Sequence, residues 1–167
     1  MLSAMRMPLH FASLAALLVA GCAAFGPPPQ PGQNEAQVQQ RLGAPTARYA
    51  LGGGATRLEF ATGPFGRETW MVDLDGAGRV TAAKQVLEAG NLAAFQTRAP
   101  GMDRDELLRT LGRPGERRGA RGGGETWSWR YVTNDCLWFQ VSVGADGRVQ
   151  DGAFGIDPAC DAASDRD

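Results

Sequence analysis

The chain has 167 residues, with 17 Lys and Arg against 18 Asp and Glu and a single histidine. That near-neutral balance excludes the clustered basic footprint of a nucleic-acid-binding domain, and the length allows one mid-sized domain or two small ones. The lone histidine, His10, falls in an N-terminal segment that reads as cleaved, which removes histidine-based hydrolases, His-rich zinc sites and histidine acid–base chemistry.

The chain opens with the three parts of an export signal. Arg6 supplies the positive region, Phe11 to Ala20 the apolar run, and Leu18-Val19-Ala20-Gly21-Cys22 a small-residue cleavage site. The apolar run is about half the ~20 residues a spanning helix needs, so a permanent membrane span is the poorer reading. Cysteine directly after Ala-Gly resembles the lipobox of bacterial lipoproteins. The resemblance implies that residues 1–21 are removed and that Cys22 is acylated, its lipid being the only non-protein group expected and no cofactor. Ala23, where inner-membrane lipoproteins carry Asp, implies transport to the outer membrane.

Ala23 to Pro31 is rich in proline and has no hydrophobic periodicity. As polyproline II at ~3.1 Å per residue it would reach up to roughly 28 Å, so residues 22–31 are expected to form a spacer holding the body off the lipid surface.

Beyond the spacer the chain repeats itself, giving two modules over 32–90 and 91–160. Gly32, Val38, Leu42, Gly43 and Pro45 match Gly101, Leu107, Leu111, Gly112 and Pro114 at an offset of 69. Gly52-Gly53-Gly54 parallels Gly122-Gly123-Gly124, Leu58-Glu59-Phe60 parallels Trp129-Arg130-Tyr131, and Arg79-Val80 parallels Arg148-Val149. These matches require offset drifts of one or two residues in the glycine-rich loops.

Each copy reads as a helix followed by antiparallel strands. Asn34 caps the first helix, and Asp103, with Glu106 three residues on, caps the second. Gly43 and Pro45, or Gly112 and Pro114, stop them. Two to three turns are too short to persist alone, so each needs a sheet. Glu68 to Leu74 alternates through Trp70, Val72 and Leu74, and the later copy alternates through Leu137, Phe139, Val141 and Val143. The turns Asp75-Gly76-Ala77-Gly78 and Gly144-Ala145-Asp146-Gly147 are hairpin signals that return the chain into strands near 79–87 and 148–154. Between the copies, Gly90 to Ala99 reads as a short extra helix or a packed connector, so the modules are expected to pack together. The whole is α+β, each module having one or two short helices on a three- to four-stranded antiparallel sheet.

The stretch Pro100 to Pro114, followed by a Trp-rich strand pair and an Asp-Gly-Arg-Val hairpin, resembles the SmpA/OmlA (BamE-like) outer-membrane lipoproteins. The tandem form is similar to the architecture of the β-lactamase inhibitor protein. The resemblance implies a helix-on-sheet module without catalytic activity and places it near the β-barrel assembly machinery. Duplication and the Cys136/Cys160 pair depart from the family pattern.

Cys136 and Cys160 lie 24 positions apart, unlike the close spacing of redox motifs and metal knuckles, and export delivers them to an oxidising compartment. A structural disulfide follows, worth ~3 kcal/mol by chain entropy. Trp127, Trp129 and Tyr131 alternate as a core stripe. Trp138, with Gln140 and Ser142, lies on the face opposite Leu137, Phe139, Val141 and Val143. It either points outward as an interface anchor or is covered by the other copy or by 90–99. Arg130 shares that face and is placed to stack on Trp138. The expected protein-binding set is therefore Trp138, Arg130 and Gln140. The glycine triplets lack the Lys-Ser/Thr of a phosphate loop and precede strands. Arg113, Arg117, Arg118 and Arg121 read as a solvated loop, and Glu59, Glu68, Asp73 and Asp75 as solvated charges at turns or polar strand positions. The acidic stretch 157–167 is expected to be disordered after Cys160.

The function expected from these features is that of a non-enzymatic, lipid-anchored protein on the periplasmic face of the outer membrane. It would bind an envelope protein, and no nucleic acid, in outer-membrane assembly or maintenance. An inhibitor or modulator docking on a periplasmic enzyme is the first alternative. Small-ligand or lipid binding in a closed apolar pocket between the modules is the second.

Overall fold

A computed structural model describes residues 27–61 and 66–160. Along the chain run α1 (Glu35–Leu42), β1 (Ala47–Gly52), β2 (Ala55–Phe60), β3 (Trp70–Leu74), β4 (Val80–Gln85), α2 (Ala89–Gln96), α3 (Arg104–Leu111), β5 (Glu116–Gly119), β6 (Glu125–Arg130), β7 (Leu137–Val143) and β8 (Val149–Ile156). The signal segment, Cys22, the start of the spacer and the tail 161–167 lie outside the described residues. No helix among the described residues is long and apolar enough to cross a membrane.

The caps act as their sequences predict. Asn34 Oδ1 accepts from the Gln37 amide at 2.9 Å while Gln37 Oε1 accepts from the Asn34 amide at 2.9 Å, which satisfies two amides that the first turn of α1 would leave bare. Asp103 does half of this for α3, accepting from the Glu106 amide at 2.7 Å. Gly43 (φ +80°) and Gly112 (φ +79°) end the two helices in a backbone region closed to side-chain-bearing residues.

Two four-stranded antiparallel sheets follow, ordered β1-β2-β3-β4 and β5-β6-β7-β8. Their registers show the repeat more simply than the residue matches do. Ala47 pairs with Glu59 and Glu116 with Ser128; Leu58 pairs with Val72 and Trp127 with Val141; Leu74 pairs with Val80 and Val143 with Val149. Every correspondence is 69 residues, so the drifts expected in the loops do not occur. Leu58-Glu59-Phe60 therefore corresponds to Trp127-Ser128-Trp129, and the glycine triplets are one residue out of step within turns of equal length. Side-chain size misled the match, because aromatic residues replace aliphatic ones at equivalent positions. Hydrogen bonds repeat at the same interval: Arg79 Nη1 donates to the Gly32 carbonyl at 3.1 Å and Arg148 Nη1 to the Gly101 carbonyl at 2.8 Å. The Asn34–Arg79 and Asp103–Arg148 bridges complete the match.

The layers stack as α1, first sheet, α2 with α3, second sheet. One core joins Val38 of α1 to Leu58, Phe60, Val72, Leu74 and Val80. A larger core joins Leu92 and Phe95 of α2 and Leu107 and Leu111 of α3 to Trp127, Trp129 and Phe139. Phe95 meets Phe139 edge-on at 5.9 Å, a geometry worth ~1 kcal/mol beyond the area buried. Met71 and Val86 reach this second core from the first sheet, so the modules share it and pack as expected. The segment 90–99 is the extra helix, α2, and it begins at Ala89.

Two expectations need correction. Glu59 is fully buried and Asp73 half-buried, because α3 lies across the sheet face that carries them. Pro29 is buried and the Gly32 amide donates to the Val80 carbonyl at 2.8 Å, so the end of the proline-rich stretch is docked and does not act as spacer. Asp157, where the acidic stretch begins, is 4% exposed and ion-paired within the second module, and the tail 161–167 expected to be disordered after Cys160 lies outside the described residues.

Candidate functional site

The two faces of the second sheet differ in chemistry because β6 and β7 alternate strictly. Trp127, Trp129, Phe139 and Val141 point to the helices. Thr126, Ser128, Arg130, Trp138, Gln140 and Ser142 share the outer face with Asp151, Ala153 and Gly155 of β8. All three residues of the expected binding set are therefore brought together, with Arg130 directly opposite Trp138 in register.

Their accessibility differs from what an anchor requires. Trp138 is 5% exposed and belongs to neither hydrophobic core. Since α2 lies on the opposite face, segment 90–99 does not cover it. The Arg130 guanidinium sits over its ring at 5.5 Å, the cation–π contact that the sequence predicts. A Cβ on Gly155 would lie 3.4 Å from Trp138 Nε1 and 3.3 Å from Gln140 Oε1, so the missing side chain leaves room for both. Gln140 Nε2 donates to Ser128 Oγ at 3.2 Å, which satisfies a hydroxyl that is 4% exposed. Trp138 is thus a platform beneath the face. The groups that reach solvent around it are Arg118, Asp151 and Ala153, with Thr126, Gln140 and Ser142 half-buried.

Arg130 is held from behind. Its Nε and Nη2 donate to the two Asp157 carboxylate oxygens at 2.6 and 2.9 Å, a fork geometry stronger than a single contact. The hydrogen bond from Arg130, then the Ala159 amide and the charges of Arg130 and Arg67, hold the Asp157 carboxyl below its usual range against the opposing effect of burial. The Arg130 guanidinium is correspondingly raised by Asp157. Cys136 and Cys160 are disulfide-bonded as expected, and the Asp157 amide donates to the Cys136 carbonyl at 2.8 Å. Cys136 adopts φ +51°, the one positive φ among the described non-glycine residues. The bridge and the Asp157 turn together pin the end of β8 under Arg130.

The basic loop splits up. Arg117 lies over the Trp127 ring at 3.8 Å, Arg118 pairs with Glu116, and the Arg113 amide is committed to Glu59. Residues that sequence reasoning missed sit between the modules. Glu59 accepts from Thr46 Oγ1 (2.9 Å), Tyr49 Oη (2.6 Å) and the Arg113 amide (3.2 Å). Burial, and after it the Glu59 carboxylate, pushes the Tyr49 phenol well above its ordinary value, against the opposing charges of Arg113 and Arg109. Arg57 grips Asp73 at 2.6 and 2.8 Å and donates to the Arg109 carbonyl at 2.9 Å. No local signal marks these groups, because their burial comes from a helix about 50 residues away. The cleft between the modules is open and of mixed polarity, not the closed apolar pocket expected for lipid binding. Among the described residues no group of three or more His, Cys, Asp or Glu is placed to hold a metal ion.

No protein-family model matches the chain, and no characterised protein or solved structure is significantly similar to it.

Proposed function

We propose that this chain is a non-catalytic, lipid-tethered envelope protein that binds another protein through the outer face of its second sheet. The observation that carries this reading is the repeat itself. The face of the first sheet bearing Arg57, Glu59, Met71 and Asp73 is occupied by α3 through side-chain to backbone hydrogen bonds. Sixty-nine residues on, the same face bears Thr126, Ser128, Gln140 and Ser142, and among the described residues no helix hydrogen-bonds to it or shares a hydrophobic core with it. A sheet face that covers a helix in one copy and meets no described helix in the next is a candidate docking surface, and its centre is pre-organised by the Trp138–Arg130–Asp157 arrangement. In this reading the export signal and the acylated Cys22 expected from the sequence would tether the protein on the periplasmic side of the outer membrane. The family resemblance points to a partner in or near the β-barrel assembly machinery.

In-cell photocrosslinking of the full-length protein tests the reading. A crosslinker at Ala153, exposed on the outer face, should capture one discrete envelope protein, while one at Gln40, exposed on α1, should not. Asp151→Lys should reduce the capture. Identical adducts from both positions, or none, would refute the assignment of this face, and Cys22→Ser tests the tether separately through loss of membrane fractionation.

A further inference from the structure

The modules meet along a cleft of about 220 Å³ whose charged lining comes from both sides: Arg57, Asp73 and Lys84 from the first sheet, Arg98 from the connection between α2 and α3. The polar groups on its walls are mostly committed. Asp73 is neutralised by the two-point grip of Arg57. Asn91 Nδ2 donates to the Gln85 carbonyl and to Glu88, and the Thr110 hydroxyl donates to the Glu106 carbonyl. Lys84 and Arg98 are different. Neither side chain makes a hydrogen bond or ion pair with any described residue, and both can only donate. The cleft therefore carries two positive charges, one from each module, with no acceptor assigned to either.

We infer that this cleft binds a small phosphate dianion, either inorganic phosphate or a phosphate monoester, bridged by Lys84 and Arg98. Two unmatched cations call for a doubly charged ligand. The guanidinium fork matches the spacing of phosphate oxygens, and the ammonium supplies the second charge. The volume lies below the range of sites for drug-sized ligands and is ample for a phosphate or a small phosphate monoester. Met71, Val86 and Leu111 give the cleft an apolar floor beneath the two exposed cations. The Arg57–Asp73 pair, tied to the Arg109 carbonyl, keeps the walls in place before the ligand arrives. A free phosphate and the phosphate of a lipid headgroup share this chemistry. The inference is independent of the docking surface, which lies on the far side of the second sheet.

Amide NMR of the full chain in neutral detergent, titrated with inorganic phosphate and with glycerol phosphate at constant ionic strength, tests the site. Saturable shifts are expected at Asn91, Arg98 and Thr110 that chloride does not reproduce. Lys84→Gln and Arg98→Gln should each weaken the binding by at least about fivefold, the loss of roughly one charge-assisted contact. Both positions are exposed, and unchanged spectra elsewhere would confirm that the variants fold. Shifts matched by chloride, an absence of saturation, or unaltered affinity in both variants would overturn the site. Sedimentation with phosphatidylcholine vesicles, with and without phosphatidic acid, separates the sources. Recovery that depends on phosphatidic acid and on Lys84 assigns the lipid headgroup, and phosphate shifts without such recovery assign the free anion.

Discussion

The amide of Arg113 donates to Oε2 of Glu59 at 3.2 Å, a contact that joins the two modules across 54 residues of sequence. Glu59 has no exposure and is held by neutral donors, so its removal strands the Tyr49 hydroxyl and this amide together, while the exposed Thr46 hydroxyl keeps the Glu59 backbone carbonyl at 3.1 Å. Leaving buried donors unpaired costs ~1–3 kcal/mol each, less where water enters. Glu59→Ala is expected to lower the unfolding free energy by ~3 kcal/mol in urea titration, and Tyr49→Phe by only ~1 kcal/mol. Equal effects would show that the carboxylate is not the hub.

Gly43 and Gly112 form a matched pair with nearly identical dihedrals but different surroundings. A Cβ at Gly43 meets nothing within 4 Å, whereas one at Gly112 would lie 2.9 Å from Thr69 Cγ2 and 3.1 Å from the Glu59 carboxylate. Gly43→Ala should therefore cost only the backbone term, ~1–3 kcal/mol. Gly112→Ala should cost at least ~1 kcal/mol more through overpacking. Chemical denaturation of the two variants side by side measures the difference.

Asp157 makes stability sensitive to acid. Its folded pKa is depressed by the Arg130 hydrogen bond, so the stabilisation is present above its unfolded value of 3.8 and is lost as pH falls below that value toward the folded one. Asp157→Asn should remove this part of the acid dependence in denaturation midpoints measured between pH 5 and pH 2.5, and it should leave the alkaline limb unchanged.

Tyr49 has the opposite sign. Its folded pKa is raised by burial and by Glu59, so its contribution is fully present below the unfolded value of 10.0 and drains away as pH rises above it. The wild-type midpoint should decline above pH 10 more steeply than that of Tyr49→Phe, and a phenolate absorbance titration should show one tyrosine ionising late.

The Cys136–Cys160 bridge closes a loop of 24 positions. Its removal in Cys136→Ser with Cys160→Ser should cost ~3 kcal/mol. Because the same bridge pins the Asp157 turn beneath Arg130, Asp157→Asn should cost less in the doubly substituted chain than in the oxidised one. Strict additivity would separate the two devices.

Local chemistry made much of this fold legible in advance. Capping residues, helix-ending glycines, alternating strands and hairpin turns act over a few residues, so Asn34, Asp103, Gly43, Gly112 and the two Asp-Gly turns could be read without knowing what they pack against. The disulfide followed from the cysteine spacing and the export that the N-terminal sequence leads one to expect, and the duplication from residues that recur at 69. The burial of Glu59, the grip of Arg57 on Asp73 and the position of Trp138 beneath its sheet face could not be read this way. Each depends on which face of a sheet another element covers, and a strand's alternation separates two faces without saying which neighbour either will meet. In the first copy α3 lies across the polar face and turns Glu59 into a buried hub. In the second copy Ser128 stands at the equivalent place on a face that no described helix covers. Only the tertiary structure decides that asymmetry, because contacts made across tens of residues are governed by the stacking of the modules and not by the local pattern of either one.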